Sequence, residues 1–203
     1  KTEMWYVLQA DKDSKLIVGF KEDSNAAEYV ENLKNKTLLS ILDNVNVEVG
    51  DVFFLETGTV HAIGAGMVIA EIQQTSDITY RLYDFDRVDA AGNQRELHVD
   101  LALDAINYNK IDTYKKYNKE LNQSNSVVDC PYFTTNFIPL DGKVAVNKSG
   151  NSFTVYMCVE GEFELEYEDS KFKYIKGDTI LVPAVLKSFV ISGKASLLEI
   201  YIS

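Results

Sequence analysis

The chain has 203 residues, of which 46% are hydrophobic, and a formal net charge of -11. This composition is typical of a globular protein with a packed core. The negative charge argues against nucleic acid or an anionic membrane as a partner, because phosphate groups would be repelled. The sequence shows no apolar run of membrane-spanning length and no signal-peptide pattern, so we expect a cytoplasmic protein.

Arginine and cysteine are both scarce. Cys130 and Cys158 lie far apart without metal-type spacing and are expected to be free thiols. Arginine occurs only at Arg81, Arg87 and Arg95. An acidic protein that binds a phosphate ester must concentrate cations locally, so these three positions are informative.

The first residues, KTEMWYVL, alternate as in a β-strand, with Glu3, Trp5 and Val7 on one face. Glu3 therefore shares a face with large apolar groups. A carboxylate there is costly to bury unless it is paired or bound to a metal, and the alternative is an exposed residue at the start of the strand. A second strand is expected over Lys15–Phe20.

A helical insert is expected over about residues 24–43. Ser24 is suited to cap the first helix, and apolar residues recur after it at helical spacing. A second short helix is expected over Thr37–Leu42, followed by a strand over Val45–Val49. The role of this insert is expected to be structural.

The stretch from Gly50 to Gly66 reads GDVFFLETGTVHAIGAG. A Gly-Asp turn precedes a short apolar strand, Gly58 breaks the chain, and His61 opens the next strand. A neutral imidazole on a rigid strand is a common metal ligand. A single histidine among apolar residues is more often a hydrogen-bonded core or surface group, so both interpretations stay open on this stretch alone.

The segment Tyr80–Arg87 alternates strongly and predicts a strand. Arg81 and Arg87 fall on one face of it together with two aromatic residues. This face is expected either to lie on the outside of the sheet or to point into a site. His98, further along the chain, is expected to have a structural role or to be exposed.

The Gly-Asp turn occurs a second time. Gly177 is followed by the same kind of apolar run, and its distance to Ser188 equals that from Gly50 to His61. A strand-turn-strand unit that appears twice suggests two copies of one β-domain.

The repeat relation extends to the first strand. If Trp5 is aligned with Tyr156, Glu3 falls on Thr154, so the second copy has a counterpart of neither Glu3 nor His61. We therefore expect a first domain over residues 1–107, a connecting segment over 108–128, and a second domain over 129–203 without metal ligands.

The motif built around the Gly-Asp turn resembles that of the cupin family. The strings KTEMWYV, GTVHAIGAG and QQTSDITYRLYDFDR together resemble the short bacterial form of type I mannose-6-phosphate isomerase, a zinc-dependent cupin. The resemblance implies a mainly-β fold with two jelly-roll barrels. It also implies that Glu3 and His61 hold zinc, that Arg81 is catalytic, and that Lys1 approaches the substrate.

The resemblance has one departure. A Gln-x-His element that completes the family's zinc site precedes the Lys-x-Glu string, and this chain begins at that string with Lys1 rather than Met. The chain is therefore expected to be a fragment that lacks part of the metal site.

The implied reaction interconverts mannose 6-phosphate and fructose 6-phosphate. A guanidinium is always charged, so Arg81 suits stabilisation of a developing oxyanion rather than proton abstraction. Lys1 and Arg87 are candidates for binding the substrate, including its phosphate. The alternative is a non-catalytic sugar-phosphate-binding cupin; an iron oxygenase is disfavoured because no His-x-His pair occurs. The sequence does not indicate an oligomeric state.

Overall fold

The computed structural model describes residues 1–76, 78–85, 87–148 and 151–202. The chain divides into two compact units, unit 1 over Lys1–Tyr114 and unit 2 over Lys115–Ser203. The division lies inside the segment that was expected to connect two domains. Both units are built mainly of strands, which confirms the predicted fold class.

Unit 1 contains two three-stranded sheets with the orders β4-β1-β6 and β3-β2-β5. The central strand β1 carries a nearly continuous run of buried residues, as expected for a strand with neighbours on both edges and packing on both faces. The strands are β1 Glu3–Ala10, β2 Lys15–Phe20, β3 Leu42–Asn46, β4 Val52–Leu55, β5 His61–Ile63 and β6 Met67–Gln73.

The helical insert consists of α1, Ala26–Lys34, and a single 3-10 turn, Leu38–Ser40. Asn25 caps α1, because its side-chain oxygen accepts the backbone N–H of Glu28 at 3.0 Å; Ser24 was the wrong choice of cap. The expected second helix is shorter than predicted, since β3 already begins at Leu42. No helix in the described part of the chain has the length and apolar character needed to cross a membrane.

The strand predicted over Tyr80–Arg87 was wrong. The described residues there form no strand, and Phe85 has a φ of 54°, which is incompatible with an extended chain. The segment belongs to a loop that ends at α2, Val99–Leu103. Asp86 lies outside the described residues.

Unit 2 contains a six-stranded sheet in the order β10-β9-β12-β8-β7, with β11 paired to β9. Its three longest strands pair along their whole length, and glycines with positive φ occur in each: Gly142, Gly161 and Gly193. A side chain at Gly193 would place its Cβ 2.6 Å from the carbonyl oxygen of Glu162. The strands are β7 Asn125–Asp129, β8 Thr134–Asn147, β9 Thr154–Tyr167, β10 Ser170–Ile175, β11 Thr179–Val182 and β12 Ser188–Tyr201.

The two Gly-Asp turns have matching hydrogen bonds. The N–H of Gly50 donates to the carbonyl of Val7 at 2.9 Å, and that of Gly177 donates to the carbonyl of Cys158 at 2.9 Å. Both glycines have a positive φ, at 92° and 96°. The turn at Gly50 therefore joins β4 to β1 at the position equivalent to the one where the turn at Gly177 joins β11 to β9.

The strand registers of the two units also correspond. Glu3 of β1 lies opposite Gln73 of β6, and Thr154 of β9 lies opposite Tyr201 of β12. The internal repeat seen in the sequence is thus present residue by residue in the strand pairing.

Candidate metal and substrate site in unit 1

Glu3 and His61 meet in unit 1 although they belong to different sheets. Glu3 is the first residue of β1 and His61 the first of β5. Glu3 Oε1 lies 3.8 Å from His61 Nε2, and the two side chains are 1% and 30% exposed. A buried carboxylate and a partly exposed imidazole therefore converge on one point.

The hydrogen bonding of His61 assigns its tautomer. Its Nδ1 lies 2.7 Å from the carbonyl oxygen of Thr59, which can only accept a hydrogen bond, so Nδ1 carries the proton. In the neutral ring Nε2 then has a free lone pair, and this is the nitrogen near Glu3. A backbone carbonyl that orients a histidine in this way is typical of metal ligands.

Trp5 holds the second oxygen of Glu3. The indole Nε1 lies 3.1 Å from Glu3 Oε2 and 3.2 Å from Glu71 Oε2, so one N–H is shared by two carboxylates. The same ring meets His61 edge to face, with centroids 5.2 Å apart. Trp5 is 2% exposed, and its packing therefore determines the positions of Glu3 and His61.

Lys1 brings a cation to the same pair. Its Nζ lies 3.3 Å from Glu3 Oε1 and 3.8 Å from Glu71 Oε1, and it donates a hydrogen bond to Gln73. Glu3 Oε1 is nevertheless a buried oxygen without a hydrogen-bond donor. The two observations agree if Lys1 is close enough for attraction but is not aligned for a hydrogen bond.

These groups fit a metal ion. Glu3 Oε1 lacks a donor and His61 Nε2 lacks a proton, and bonds of about 2.0–2.2 Å would allow one ion to contact both atoms across 3.8 Å. Among the described residues no group of three or more His, Cys, Asp or Glu side chains is arranged to hold a metal. The described residues thus offer two candidate ligands, whereas a catalytic zinc site usually has three.

The cleft beside this pair has a volume of about 490 Å³ and is lined by all three arginines of the chain, together with Lys1, Glu3 and His61. Arg81 donates from Nη1 to the carbonyl of Glu96 at 2.9 Å. The cleft therefore concentrates positive charge in a protein whose net charge is negative.

The position of Arg81 is set by His98. The backbone N–H of Arg81 donates to His98 Nδ1 at 3.0 Å, and the backbone N–H of His98 donates to the carbonyl of Arg81 at 2.8 Å. This pair of hydrogen bonds ties the two ends of the loop together. His98 has the structural role expected of it, and Arg81 gains a fixed backbone without being in a strand.

Comparison with known proteins shows similarity to one family. A family model described as the cupin domain of mannose-6-phosphate isomerase matches residues 123–202. Mannose-6-phosphate isomerase ManA of Bacillus subtilis is 33% identical over 96% of this chain and 62% of its own length, and the enzyme of Streptococcus mutans is 31% identical over 95% and 61%. The crystal structure of the Bacillus subtilis mannose 6-phosphate isomerase superposes with a TM-score of 0.90 at 30% identity, covering 99% of this chain and 64% of that one.

The chain is similar to mannose-6-phosphate isomerases along nearly its whole length. It spans less than two thirds of the length of these relatives. The match to the Bacillus subtilis structure also confirms the predicted cupin-like fold. The apo enzyme of Salmonella typhimurium, at 13% identity and a TM-score of 0.75, shares the fold.

All five residues predicted for an isomerase site line the same cleft: Lys1, Glu3, His61, Arg81 and Arg87. Their individual roles stay predictions. Arg87 lies over the ring of Phe85, at 5.5 Å from the centroid.

Sequence reasoning assigned no role to Arg95, which lines this cleft as well. Arg95 forms a two-point ion pair with the buried Asp84, with Nε 2.7 Å from Oδ2. The hydrogen bond from Arg95 holds the pKa of Asp84 below its usual range, and the nearby charges of Arg81 and Arg87 act in the same direction.

Sequence reasoning also missed Glu71. Its side chain is 37% exposed, contacts Lys1 and accepts from Trp5. Glu71 could be found only from the pairing of β1 with β6, which places it opposite Trp5. No local sequence pattern indicates that pairing.

Proposed function

We propose that this chain carries the catalytic cupin domain of a zinc-dependent mannose-6-phosphate isomerase, which interconverts mannose 6-phosphate and fructose 6-phosphate. The observation that supports this most strongly is the Glu3–His61 pair, in which a donor-free carboxylate oxygen faces an unprotonated imidazole nitrogen. The names of the relatives supply the substrate class.

Glu3 Oε1 and His61 Nε2 would hold the zinc ion. When bound, zinc supplies Lewis-acid polarisation of the sugar oxygens. Trp5 keeps Glu3 Oε2 occupied, so that only Oε1 is offered to the ion. With two protein ligands in the described chain, we expect weaker binding than at a site with three.

Arg81 is proposed to stabilise the negative charge that develops on the sugar oxygens. Isomerisation moves a proton between the two neighbouring carbons C1 and C2 by way of an enediol, and charge accumulates on oxygen during the transfer. A guanidinium stays protonated at neutral pH and is therefore suited to this electrostatic role. Its position at the cleft wall supports the assignment.

Glu71 is proposed as the group that accepts and returns the proton. It is a partly exposed carboxylate, and Trp5 and Lys1 orient its two oxygens. Glu71 would take the proton from C2 of mannose 6-phosphate and deliver it to C1, while the hydroxyl proton of O2 passes to O1, so that atoms and charges balance. Lys1 and Arg87 are proposed to bind the phosphate as a dianion.

The test is an isomerase assay on the zinc-loaded chain, in which formation of fructose 6-phosphate from mannose 6-phosphate is measured. We expect turnover that Glu71→Gln abolishes and that Arg81→Met lowers by about 10²–10³-fold, whereas Glu31→Gln on the exposed face of α1 does not change it. If sugar phosphate binds but is not converted, the isomerase proposal fails and the chain is a non-catalytic sugar-phosphate-binding protein. The presence of only two ligands in the described residues favours that second candidate.

A cytoplasmic location stays a prediction.

A further inference from the structure

Unit 2 contains a cavity of about 1090 Å³ that is separate from the site in unit 1. Its wall combines apolar strand residues with side chains that donate or accept hydrogen bonds. The polar side chains of the wall include Ser124, Asn136, Asn147, Lys148, Thr154 and Glu199.

The internal repeat shows that this cavity does not hold the metal pair of unit 1. Thr154 stands where Glu3 stands in unit 1, and Ser188 stands where His61 stands. The hydroxyl of Ser188 bonds to Asn147 Oδ1 at 2.9 Å. Hydroxyl groups at both positions are poor substitutes for a carboxylate and an imidazole as zinc ligands.

The carboxylate of Glu71 in unit 1 does have a counterpart in unit 2. Glu199 lies opposite Tyr156 as Glu71 lies opposite Trp5. The hydroxyl of Tyr156 donates to Glu199 Oε1 at 2.8 Å, just as the indole of Trp5 donates to Glu71. Tyr156 is fully buried, so the aromatic donor is fixed by packing in both units.

Two further donors bind Glu199. Ser124 Oγ lies 2.7 Å and Asn136 Nδ2 2.9 Å from Oε2. A carboxylate has about four lone-pair positions, and three of them are occupied in Glu199. One lone-pair position of Glu199 at the cavity wall is therefore left for a polar ligand.

Lys148 provides a cation at the same cavity. Its Nζ donates to the carbonyl oxygens of Val182 and Pro183, both at 3.2 Å. Burial lowers the pKa of Lys148 and the charge of Lys187 lowers it further, while the charge of Glu199 acts in the opposite direction. An ammonium in this environment gains by acquiring an anionic partner.

We propose that the cavity of unit 2 is a metal-independent binding site for a small hydroxylated anion such as a sugar phosphate. Lys148 meets the anionic group, and the wall formed by Glu199 and Asn136 meets the hydroxyl groups. The proposal goes beyond the isomerase site and does not depend on activity in unit 1.

The test is a calorimetric titration of the chelator-treated chain with fructose 6-phosphate. Inorganic phosphate and free fructose serve as probes of the two halves of the ligand. In the Arg81→Met background, which impairs the cleft of unit 1, we expect binding to persist. Adding Lys148→Met should weaken it at least about tenfold, since a charge-assisted hydrogen bond is lost.

Two variants complete the test. Lys171→Met changes a lysine of β10 in the same unit and should leave the affinity unchanged. Glu199→Gln keeps the size of the side chain and should weaken binding of fructose more than that of inorganic phosphate. Absence of binding in the Arg81→Met background, or binding that Lys148→Met does not weaken in a chain that remains folded by circular dichroism, would overturn the proposal.

Discussion

The indole N–H of Trp5 lies 3.1 Å from Glu3 Oε2, and this contact leaves Glu3 Oε1 as the oxygen that faces His61. Trp5 is also the single tryptophan of the chain. The proposed metal ligands Glu3 and His61 are therefore adjacent to a built-in fluorescent reporter, and several properties of the site can be measured without an activity assay.

Removal of either proposed ligand should strongly weaken metal binding. We expect Glu3→Gln and His61→Ala to lower zinc affinity by more than about a hundredfold, since loss of groups that merely support a ligand already costs 10–100-fold. The measurement is a competition titration against a chelating dye. Glu31→Gln is the control, and a wild-type affinity in Glu3→Gln would show that the pair is not the metal site.

Trp5→Phe should weaken metal binding without removing a ligand. The substitution keeps a ring beside His61 but deletes the N–H that Glu3 and Glu71 share, so both carboxylates lose orientation. We expect an affinity loss of about tenfold. Tyr156→Phe makes the equivalent deletion in unit 2 and should leave zinc affinity unchanged.

The fluorescence of Trp5 should change when zinc binds. The ring contacts His61 and its N–H binds Glu3, so coordination by these two residues alters its surroundings. A saturable change that follows the stoichiometry from the dye competition would support the assignment. Zinc binding with no change in emission would place the ion elsewhere.

Arg81→Met should separate binding of the metal from turnover. In the described structure Arg81 forms no hydrogen bond or ion pair with Glu3 or His61, and its Nη1 is bonded to the carbonyl of Glu96. We expect unchanged zinc affinity and a fall in kcat of about 10²–10³-fold, the effect usual for loss of one group that stabilises an oxyanion. Retained turnover would contradict the catalytic assignment.

The Asp84–Arg95 pair should make stability depend on pH in the acid range. Arg95 lowers the pKa of Asp84 in the folded protein, so the pair stabilises the fold above the unfolded pKa of about 3.9, and this stabilisation is lost as pH falls through the lower folded value. Asp84→Asn should therefore lower the free energy of unfolding at pH 7 and have little effect near pH 2. Denaturant titrations at several pH values measure this difference. An equal loss at all pH values would mean that the ion pair is not the cause.

The two cysteines should differ in reactivity. Burial raises the pKa of the Cys158 thiol to about 11, whereas Cys130 is only partly buried. Because the thiolate is the reactive form, alkylation of the native protein at pH 8 should modify Cys130 first and reach Cys158 only on unfolding. Mass spectrometry of the digested protein measures both sites.

Much of the site was predictable from local strings, and some of it was not. Glu3 and His61 were found because each is an ionisable residue at the start of an apolar strand pattern, where such a residue type is unusual. The strand predicted over Tyr80–Arg87 was wrong. Alternation of apolar and polar residues indicates which side chains would share a face of a strand, but it does not indicate whether a partner strand is available for pairing. The scarcity of arginine made Arg95 an informative position, but no local pattern assigned it a role, since its partner Asp84 lies in the same loop and not on a strand.

The sequence by itself determined the two Gly-Asp turns, the mainly-β character and the repeat that equates Glu3 with Thr154. These features depend on φ preferences and on side-chain alternation, which act over a few residues. Only the tertiary structure decided which oxygen of Glu3 lacks a donor, which nitrogen of His61 is unprotonated, and that Glu71 shares the indole of Trp5. Those properties depend on distances between residues far apart in the chain, and the pairing of separate strands sets such distances.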